Sequence, residues 1–518
     1  MKLNRIRQIL IISLLEFLFC LGCYCTASSG RVQVKQDWQG YVKNCLDTLI
    51  DHGTDVYGSV KTPMLMAVID VNTLTAPENP KMYDSYIRTE GRPTHGRRSP
   101  GGCNLWLDQP TLKAMYRLTK ITGDSRYADA ADTYIRYSLQ HCVKPNGLFI
   151  WGSHIYYHAY KDRLEGDRQH EIPILHPDWH ALYRVNPDAV RKEVDGIWKY
   201  HILDPKTGAH NRHNTHGSLK ADFSFTGSSY ILAFAFMHSA TGEKQYLDKA
   251  KRITDWHWQH RNKDTNLMAE APLLKGNYGG NHCYTSISGP FASALLRSYE
   301  LTGEKQFRYI AIEIIKAYDK YGWDSKAQTY YGILTLAGKP VMKPFETGYD
   351  SKFYPAGHID LWRTIMYSYE FPLIAAQASL YAYEISADDK SQRDGDLLQA
   401  ALHWAEVIEN NLPPHTGRRW KKEIQETLPD VLTTKGTYAE NYGRAISFFV
   451  HLHQATKGQK YRQLAEGLAQ EAIDKLFVNG LFKGHPAKPY YETNDGVGLL
   501  LYALLELDAP AEKMSGAF

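Results

Sequence analysis

The chain of 518 residues has little cysteine, almost no net charge and no long apolar segment after its first 25 residues. Because a membrane-spanning helix needs about 20 apolar residues, the remainder of the chain contains no predicted span. A net charge of +4 without a basic tract argues against a nucleic-acid partner. The four cysteines after the leader lack zinc-ligand spacing, and they predict either scattered disulfides or buried free thiols: Cys45, Cys103, Cys142 and Cys283.

Residues 1–25 have the features of a secretion signal. A basic start precedes the apolar run 9–22, which is too short to cross a bilayer. A glycine precedes Cys23, so a lipid anchor at Cys23 is an alternative outcome of processing. We predict an exported protein that is periplasmic, secreted or held at the cell surface as a lipoprotein, with residues 26–40 as a short tether.

A Thr-Gly motif recurs along the rest of the chain. It occupies residues 122–127, 241–246 and 302–307, and a weaker copy occupies 456–461. Each copy stands between two apolar patterns of helical period, with glycine ending the first helix and an acidic residue favouring the start of the second. An aromatic residue then begins the next apolar face. The motif predicts repeated helical hairpins.

Separations of 119 and 61 residues between the first three copies fit a repeat of about 60 residues. We therefore predict an all-α fold, an (α/α) toroid of helical hairpins over residues 41–510, with an open helical solenoid as the competing architecture. Residues 490–505 resemble the closing loop and helix of such a ring. The long stretches between hairpins are rich in His, Tyr, Trp, Asn and Gly, and they predict a cleft at one mouth of the ring: 140–180, 205–228, 264–286, 336–362 and 410–440.

The first two of these stretches contain a candidate metal site formed by His154, Glu171 and His213, with Arg212 beside the last ligand. Two imidazoles and a carboxylate suit Mn²⁺, Ni²⁺, Co²⁺ or Zn²⁺ better than Ca²⁺, which prefers oxygen ligands. A cation together with a guanidinium suits an anionic sugar, because both neutralise a carboxylate. The alternative for each histidine taken alone is an ordinary hydrogen-bonded residue.

Segments 168–190, 196–204 and 211–213 resemble polysaccharide lyase family 2, the metal-dependent pectate lyases that fold as an (α/α) toroid. Position by position, the resemblance implies that His154, Glu171 and His213 are the metal ligands and that Arg212 is the catalytic base. Two positions depart from the family pattern: Pro173 stands in place of a frequent basic residue, and Ser153 in place of glycine. The first departure affects the expected substrate, because that basic residue could contact a uronate. The implied substrate is a uronate polysaccharide of the polygalacturonate type.

β-Elimination on a uronate removes the C5 proton and expels the glycosidic oxygen from C4. The proton becomes acidic when a cation spreads the charge of the neighbouring carboxylate. An arginine is ordinarily protonated and a poor base, although burial beside a cation disfavours its charged form. If Arg212 binds a carboxylate instead, the proton transfer falls to one of four other residues: Tyr156, Tyr157, His158 or His216.

Other residues are weaker candidates for substrate contacts: Trp151, Tyr278, His282, Tyr442 and Arg444. Residues 277–282 fit a glycine-rich turn equally well, whereas residues 438–444 fit a buried helix cap better than a substrate contact. Residues 358–363 are a candidate of the same kind as residues 438–444.

Three other functions fit the same fold. A metal-independent glycoside hydrolase, for example one acting on unsaturated uronides, needs catalytic carboxylates, for which Asp178, Asp222 and Asp360 are available. A sugar epimerase would rely on histidines, and a non-catalytic glycan-binding protein would use only the aromatic cleft. Metal dependence separates the lyase from all three.

Overall fold

The structure of the protein is a computed structural model, and it describes residues 37–78, 101–152, 155–166, 169–172, 176–214, 221–274, 279–343, 357–359, 361–362, 371–387, 389–413 and 436–517. The predicted leader, His154, His216, Tyr278 and Asp360 lie outside these ranges. The chain divides into two units, Met1–Asp37 and Trp38–Phe518, and the second is described below. Within the described residues, no helix has the length and apolar character needed to span a membrane.

The described part of the second unit contains fourteen α-helices, which form pairs. Seven helices make an inner layer and seven an outer layer, and inner and outer helices alternate along the chain. The helices are α1 Trp38–His52, α2 Leu105–Thr122, α3 Arg126–His141, α4 Trp179–Val185, α5 Pro187–His201, α6 Ser224–Thr241, α7 Lys244–Gln259, α8 Ala292–Thr302, α9 Lys305–Gly322, α10 Pro372–Ile385, α11 Gly395–Asn410, α12 Ala439–Thr456, α13 Gln459–Leu476 and α14 Val497–Asp508.

Short antiparallel strands lie between the hairpins. The strands are β1 Val68–Asp70, β2 Gly102–Cys103, β3 Ile155–His158, β4 Arg163–Gly166, β5 Ile202–Asp204, β6 Ala209–His210, β7 His282–Tyr284, β8 Trp323–Asp324, β9 Thr329–Tyr330, β10 Ile333–Thr335, β11 Phe477–Val478, β12 Leu481–Phe482 and β13 Tyr490–Glu492. They pair as β1–β13, β2–β3–β4, β5–β6, β7–β10, β8–β9 and β11–β12. The stretches predicted to be irregular therefore contain small sheets.

The inner helices are buried on nearly every side. In α6 every residue from Ser224 to Met237 is buried, whereas its outer partner α7 buries one stripe that includes Tyr246, Ala250 and Ile253. A helix that is apolar all round must be covered all round, while an amphipathic helix covers it and faces water with its other side. This difference between consecutive helices produces two concentric layers.

The inner layer closes on itself because α14, near the end of the chain, packs between α12 and α2. Glycines permit the approach: a Cβ on Gly498 would lie 2.3 Å from the backbone nitrogen of Thr111 in α2, and one on Gly443 would lie 2.5 Å from the carbonyl carbon of Leu499. The β1–β13 ladder joins the same two regions, with Val68 opposite Glu492. The predicted toroid is confirmed, and the open solenoid is wrong.

All four copies of the Thr-Gly motif form the same turn. Gly123, Gly242 and Gly303 adopt φ values of +78°, +74° and +71° just after an inner helix, and Lys457 adopts +61° in the weaker copy. Each motif threonine donates a side-chain hydrogen bond to the carbonyl four residues earlier, as Thr241 does to Met237 at 2.7 Å. The aromatic residue that follows each turn is buried in the core. The motif thus marks the end of the ring where inner and outer helices join most tightly.

The four cysteines after the leader are free and buried, so the prediction of buried thiols is correct and that of disulfides is wrong. Cys103 and Cys142 each lie against a methionine sulfur, at 3.7 Å and 3.9 Å. Burial raises the pKa of the Cys45 and Cys142 thiols to about 12. These thiols are therefore protonated packing groups at neutral pH.

Candidate active site

Glu171, Arg212 and His213 meet at the end of the ring opposite the Thr-Gly turns. The Arg212 Nε donates to Glu171 Oε2 at 2.6 Å, and His213 Nε2 lies 3.2 Å from the same oxygen. The Glu171 side chain is fully buried, while those of Arg212 and His213 are 20% and 24% exposed. The structure therefore brings together the predicted base and two of the three predicted metal ligands, with the arginine and histidine reaching the surface.

Gly152 fixes the position of Glu171. It has φ of +92°, and a Cβ on it would lie 2.3 Å from the Glu171 carbonyl oxygen, so a side chain at Gly152 would displace the glutamate. Asn104, which caps α2, also donates to the Gly152 carbonyl at 2.7 Å. Gly152 stands two residues before the third predicted ligand, His154, which lies outside the described residues. Among the described residues alone, no group of three or more His, Cys, Asp or Glu is arranged to hold a metal ion.

The segment bearing Arg212 is held between the end of α5 and the start of α6. The Asn211 backbone N–H donates to the His201 carbonyl at 2.8 Å, and the Arg212 backbone N–H donates to the Ala221 carbonyl at 2.8 Å. The Arg212 guanidinium lies 5.9 Å from the ring centre of Phe223. Two successive residues are thus tied to two different elements, which fixes the direction of the arginine.

A buried polar network lies behind the site, and the sequence analysis did not predict it. His170 Nε2 lies 2.7 Å from Glu193 Oε1, and His170 Nδ1 lies 2.8 Å from His201 Nε2. His201 Nδ1 in turn lies 2.7 Å from the hydroxyl of Tyr230 in α6. All four side chains are fully buried, so the network links the backbone beside Glu171 to the two elements that carry Arg212.

The hydroxyl of Tyr230 is also 3.2 Å from the carbonyl oxygens of both Asn211 and Arg212. Burial, followed by the charges of Glu171 and Glu193, holds the pKa of Tyr230 well above its ordinary value. Burial and the neighbouring His170 hold the pKa of His201 well below its ordinary value. Tyr230 is therefore a neutral donor and His201 a neutral imidazole, and both support the loop from behind. In the sequence, Tyr230 is followed by an unbroken apolar run in α6, which gives no sign of this polar role.

The alternative proton-transfer residues of β3 lie in the interior. Tyr156 and Tyr157 are buried, and burial raises the pKa of Tyr157 far above its ordinary value. His158 is 8% exposed and lies 3.9 Å from Glu165. Arg212 is thus the more accessible of the predicted bases among the described residues.

The predicted substrate contacts differ in their surroundings. Trp151 is fully buried with its indole nitrogen 2.9 Å from His170 Nε2, and Tyr442 is fully buried and donates to Glu471 at 2.7 Å. Arg444 is 3% exposed and donates to Glu440 and Gln377, each at 3.1 Å. Because stacking on a sugar requires an open face, this packing opposes direct contact by Trp151 and Tyr442, and it favours the buried-cap interpretation of residues 438–444. His282 is half-buried in β7.

The two described aspartates considered for hydrolysis both serve the fold. Asp178 accepts from the Ala181 N–H at 3.1 Å and caps α4. Asp222 accepts from Trp256 and from the Leu273 N–H, and burial raises its pKa to about 6. The charge of Asp222 also contributes to the raised pKa of the buried Glu270, so Asp222 has a second acid nearby, but its own oxygens are occupied by the two hydrogen bonds to Trp256 and Leu273.

The sequence of this region matches a known family. A family profile described as "Periplasmic pectate lyase" matches residues 96–228, which include the whole candidate site. A curated relative, the pectate disaccharide-lyase of Dickeya dadantii (strain 3937), is 29% identical over 182 residues, which are 34% of this chain and 31% of that relative. The chain therefore aligns with about a third of that relative's length. The resemblance to pectate lyases predicted from the motifs is confirmed over this segment.

Solved structures with similar overall folds have low sequence identity to this chain. A D-mannose isomerase is 12% identical with a TM-score of 0.47, covering 93% of this chain and 100% of its own. A family 76 glycoside hydrolase from a bovine Bacteroides thetaiotaomicron strain is 14% identical with a TM-score of 0.46, covering 92% of this chain and 79% of its own.

Proposed function

We propose that this protein is a polysaccharide lyase that cleaves a polygalacturonate-like uronate polymer by metal-assisted β-elimination at Glu171, Arg212 and His213. The observation that supports the proposal most strongly is the convergence of Arg212 and His213 on one carboxylate oxygen of Glu171. The match of residues 96–228 to the periplasmic pectate lyase profile supports the same chemistry.

The donor geometry fits a divalent ion. Two ligand atoms bound to one ion at about 2.1 Å, with angles near tetrahedral or octahedral, stand about 3.0–3.4 Å apart. Glu171 Oε2 and His213 Nε2 are 3.2 Å apart. Glu171 and His213 would therefore hold the ion, with His154 as the third protein ligand. A mixed nitrogen and oxygen set suits Mn²⁺, Ni²⁺, Co²⁺ or Zn²⁺.

When bound, the ion supplies positive charge that stabilises the enolate-like form of the uronate carboxylate. The other chemistry is that of the chain. Arg212 contacts Glu171 through its Nε, and 20% of its side chain is exposed, so part of the side chain is within reach of a substrate in the cleft. The contact with Glu171 favours the protonated form of the Arg212 guanidinium, and a cation bound to the same carboxylate would weaken that preference, as the base role requires.

In the proposed step, Arg212 accepts the C5 proton. The electrons of the C5–H bond form the C4–C5 double bond, and the C4–O bond breaks with its electron pair on the leaving oxygen. That oxygen takes a proton from water, and the resulting hydroxide recovers the proton from Arg212, which restores the base. The products are a chain with an unsaturated uronate at its new non-reducing end and a chain with a new reducing end.

The test is the ultraviolet absorbance of polygalacturonate incubated with the purified protein and Mn²⁺, in parallel with a chelator. We expect a rising conjugated-alkene signal that the chelator abolishes and that Glu171→Gln and His213→Ala each reduce by about 10²-fold or more. His141→Ala, which alters an exposed histidine of the outer helix α3, is the matched control. New reducing ends without the alkene would refute elimination and indicate a hydrolase.

A further inference from the structure

The centre of the ring contains a second concave site. A cavity of about 430 Å³ lies among the inner helices α2, α4, α6, α8 and α14. This volume is within the usual range for small-molecule sites. The cavity reaches the surface beside His180 and Glu300, both of which are exposed. Glu171, Arg212 and His213 are not among its lining residues, so it is separate from the candidate active site.

The cavity carries positive charge from two sides. Lys113 projects from α2 and Arg297 from α8, and the charge of Arg297 lowers the pKa of Lys113. Burial is the larger cause, and together these effects bring the pKa of Lys113 to about 8. The two cations repel each other across the cavity. The charge of Asp178 acts on both and offsets part of this repulsion, and a ligand anion between them would relieve the remainder.

The acidic residues of the lining are already engaged. Asp178 caps the first turn of α4, and Glu300 accepts from Lys513 at 2.6 Å and from the Tyr381 hydroxyl. In contrast, the Nη1 atom of Arg297 is buried and has no hydrogen-bond partner among the residues that the structure describes. A buried guanidinium donor without an acceptor carries a desolvation cost that a ligand carboxylate would offset.

The remaining walls are suited to a sugar ring. Trp179, Phe236 and Tyr502 line the cavity, and the Tyr502 ring already attracts cations, with Lys113 Nζ 5.2 Å and Arg117 Cζ 4.8 Å from its centre. The Arg117 Nη1 also donates to the Tyr502 hydroxyl at 3.1 Å, which fixes the ring. Trp179 and Phe236 are each 2% exposed, so a ligand would contact an apolar wall rather than stack on an open ring, and this wall next to two cations matches a compact ligand with an apolar side and one negative charge.

We propose that this central cavity binds a carboxylate-bearing monosaccharide, with the carboxylate between Lys113 and Arg297 and the sugar ring against the aromatic wall. The site is an additional binding site whose occupation requires no catalysis at Glu171, Arg212 and His213. The proposal therefore stands or fails separately from the proposed lyase activity.

The experiment is isothermal titration calorimetry of the full chain with D-galacturonate, with D-galactose as the uncharged analogue, in the presence of a chelator. We expect D-galacturonate to bind and D-galactose to bind at least about tenfold more weakly, since a charge-assisted hydrogen bond to a guanidinium is lost. Arg297→Gln should weaken D-galacturonate binding about tenfold or more. Arg252→Gln, which alters an exposed arginine of the outer helix α7, should leave it unchanged.

Two further variants show whether D-galacturonate binds in the central cavity or at the candidate active site. Lys113→Gln tests the same site independently of α8, and it is the measurement to rely on if Arg297→Gln unfolds. Glu171→Gln removes the charge from the candidate active site, and it should leave D-galacturonate binding intact. Equal binding of the two sugars, or loss of binding in Glu171→Gln with retention in Arg297→Gln, would overturn the proposal.

Discussion

The two ends of the ring are built in different ways. At one end, each turn is completed within a few residues: Thr241 bonds to Met237, and Gly242 takes a left-handed conformation that returns the chain as the next helix. At the other end, Glu171 meets Arg212 only because the intervening 40 residues, including two helices, bring them together. A local feature can recur wherever its short motif recurs, whereas the active site exists once and depends on several elements at the same time.

The largest expected effect comes from removing the Arg212 side chain, which lies at the end of the ring where distant parts of the chain meet. Arg212→Ala should lower kcat by about 10³-fold, because a general base contributes about 10²–10⁴-fold, and it should also lower the free energy of unfolding by about 1–3 kcal/mol, because the fully buried Glu171 carboxylate loses a donor. Initial rates of alkene formation together with urea denaturation check this. Arg191→Ala, on the surface of α5, is the control. A kcat reduced less than tenfold would remove Arg212 from the base role.

A smaller effect is expected behind the site. Tyr230→Phe deletes the hydroxyl that lies 3.2 Å from the Arg212 carbonyl, while leaving the ring in the core. We expect kcat to fall about tenfold with KM nearly unchanged, and the free energy of unfolding to fall by about 1–3 kcal/mol because a buried partner is lost. Steady-state kinetics and denaturation on the same preparation check both values. Tyr318→Phe, a buried tyrosine of α9 that bonds to the Tyr331 carbonyl, is the matched control and should lower stability alone.

At the end of the ring that carries the Thr-Gly turns, a substitution should affect stability without affecting catalysis. Gly242→Ala places a Cβ in open space but at φ of +74°, so it should cost about 1–2 kcal/mol from backbone strain. Gly242→Asn should recover part of this loss, because asparagine tolerates the left-handed region. Thermal unfolding with a parallel activity assay provides the measurement. Altered kcat in the folded Gly242→Ala protein would show that the two ends are coupled.

The smallest expected effect is on the pH dependence of stability. Glu270 is fully buried and accepts hydrogen bonds from Ser224 and Ser286, and burial raises its pKa from 4.5 to about 8. Between these values the native carboxyl retains a proton that the unfolded chain has released, so its contribution to stability falls as the pH rises from about 5 to 8. Glu270→Gln should therefore reduce the loss of Tm between pH 5 and pH 8 by a few degrees. Glu512→Gln, an exposed substitution, should preserve the full pH dependence.

The fold was predictable because its signals are local and repeated. Helical period, the Thr-Gly turns and the aromatic residue after each turn all appear within windows shorter than 20 residues. The small sheets between hairpins were less visible, since strands of two to four residues carry too few positions for a period of two to emerge. The free state of the cysteines could not be read from spacing either, because four thiols of separate elements had to be placed in space first.

The site was predictable only in part, and for a different reason. Arg212 and His213 are adjacent in sequence and Glu171 follows a histidine, so a resemblance to pectate lyases carried over a short segment sufficed to select them. No sequence motif indicated that Tyr230 and His201 support the loop that carries Arg212. Trp151 and Tyr442 illustrate the reverse case, since their residue types suggested sugar contacts while their positions in the packed interior oppose such contacts.

The sequence by itself determined the helical hairpins and their turns, because these depend on local backbone preferences, and its resemblance to pectate lyases selected Glu171, Arg212 and His213. Only the tertiary structure decided that the hairpins close into a ring, that Glu171 is buried while Arg212 remains partly exposed, and that Lys113 and Arg297 face one central cavity. Those outcomes depend on the packing of elements far apart in the chain, where burial sets both the electrostatics and the accessibility of each side chain.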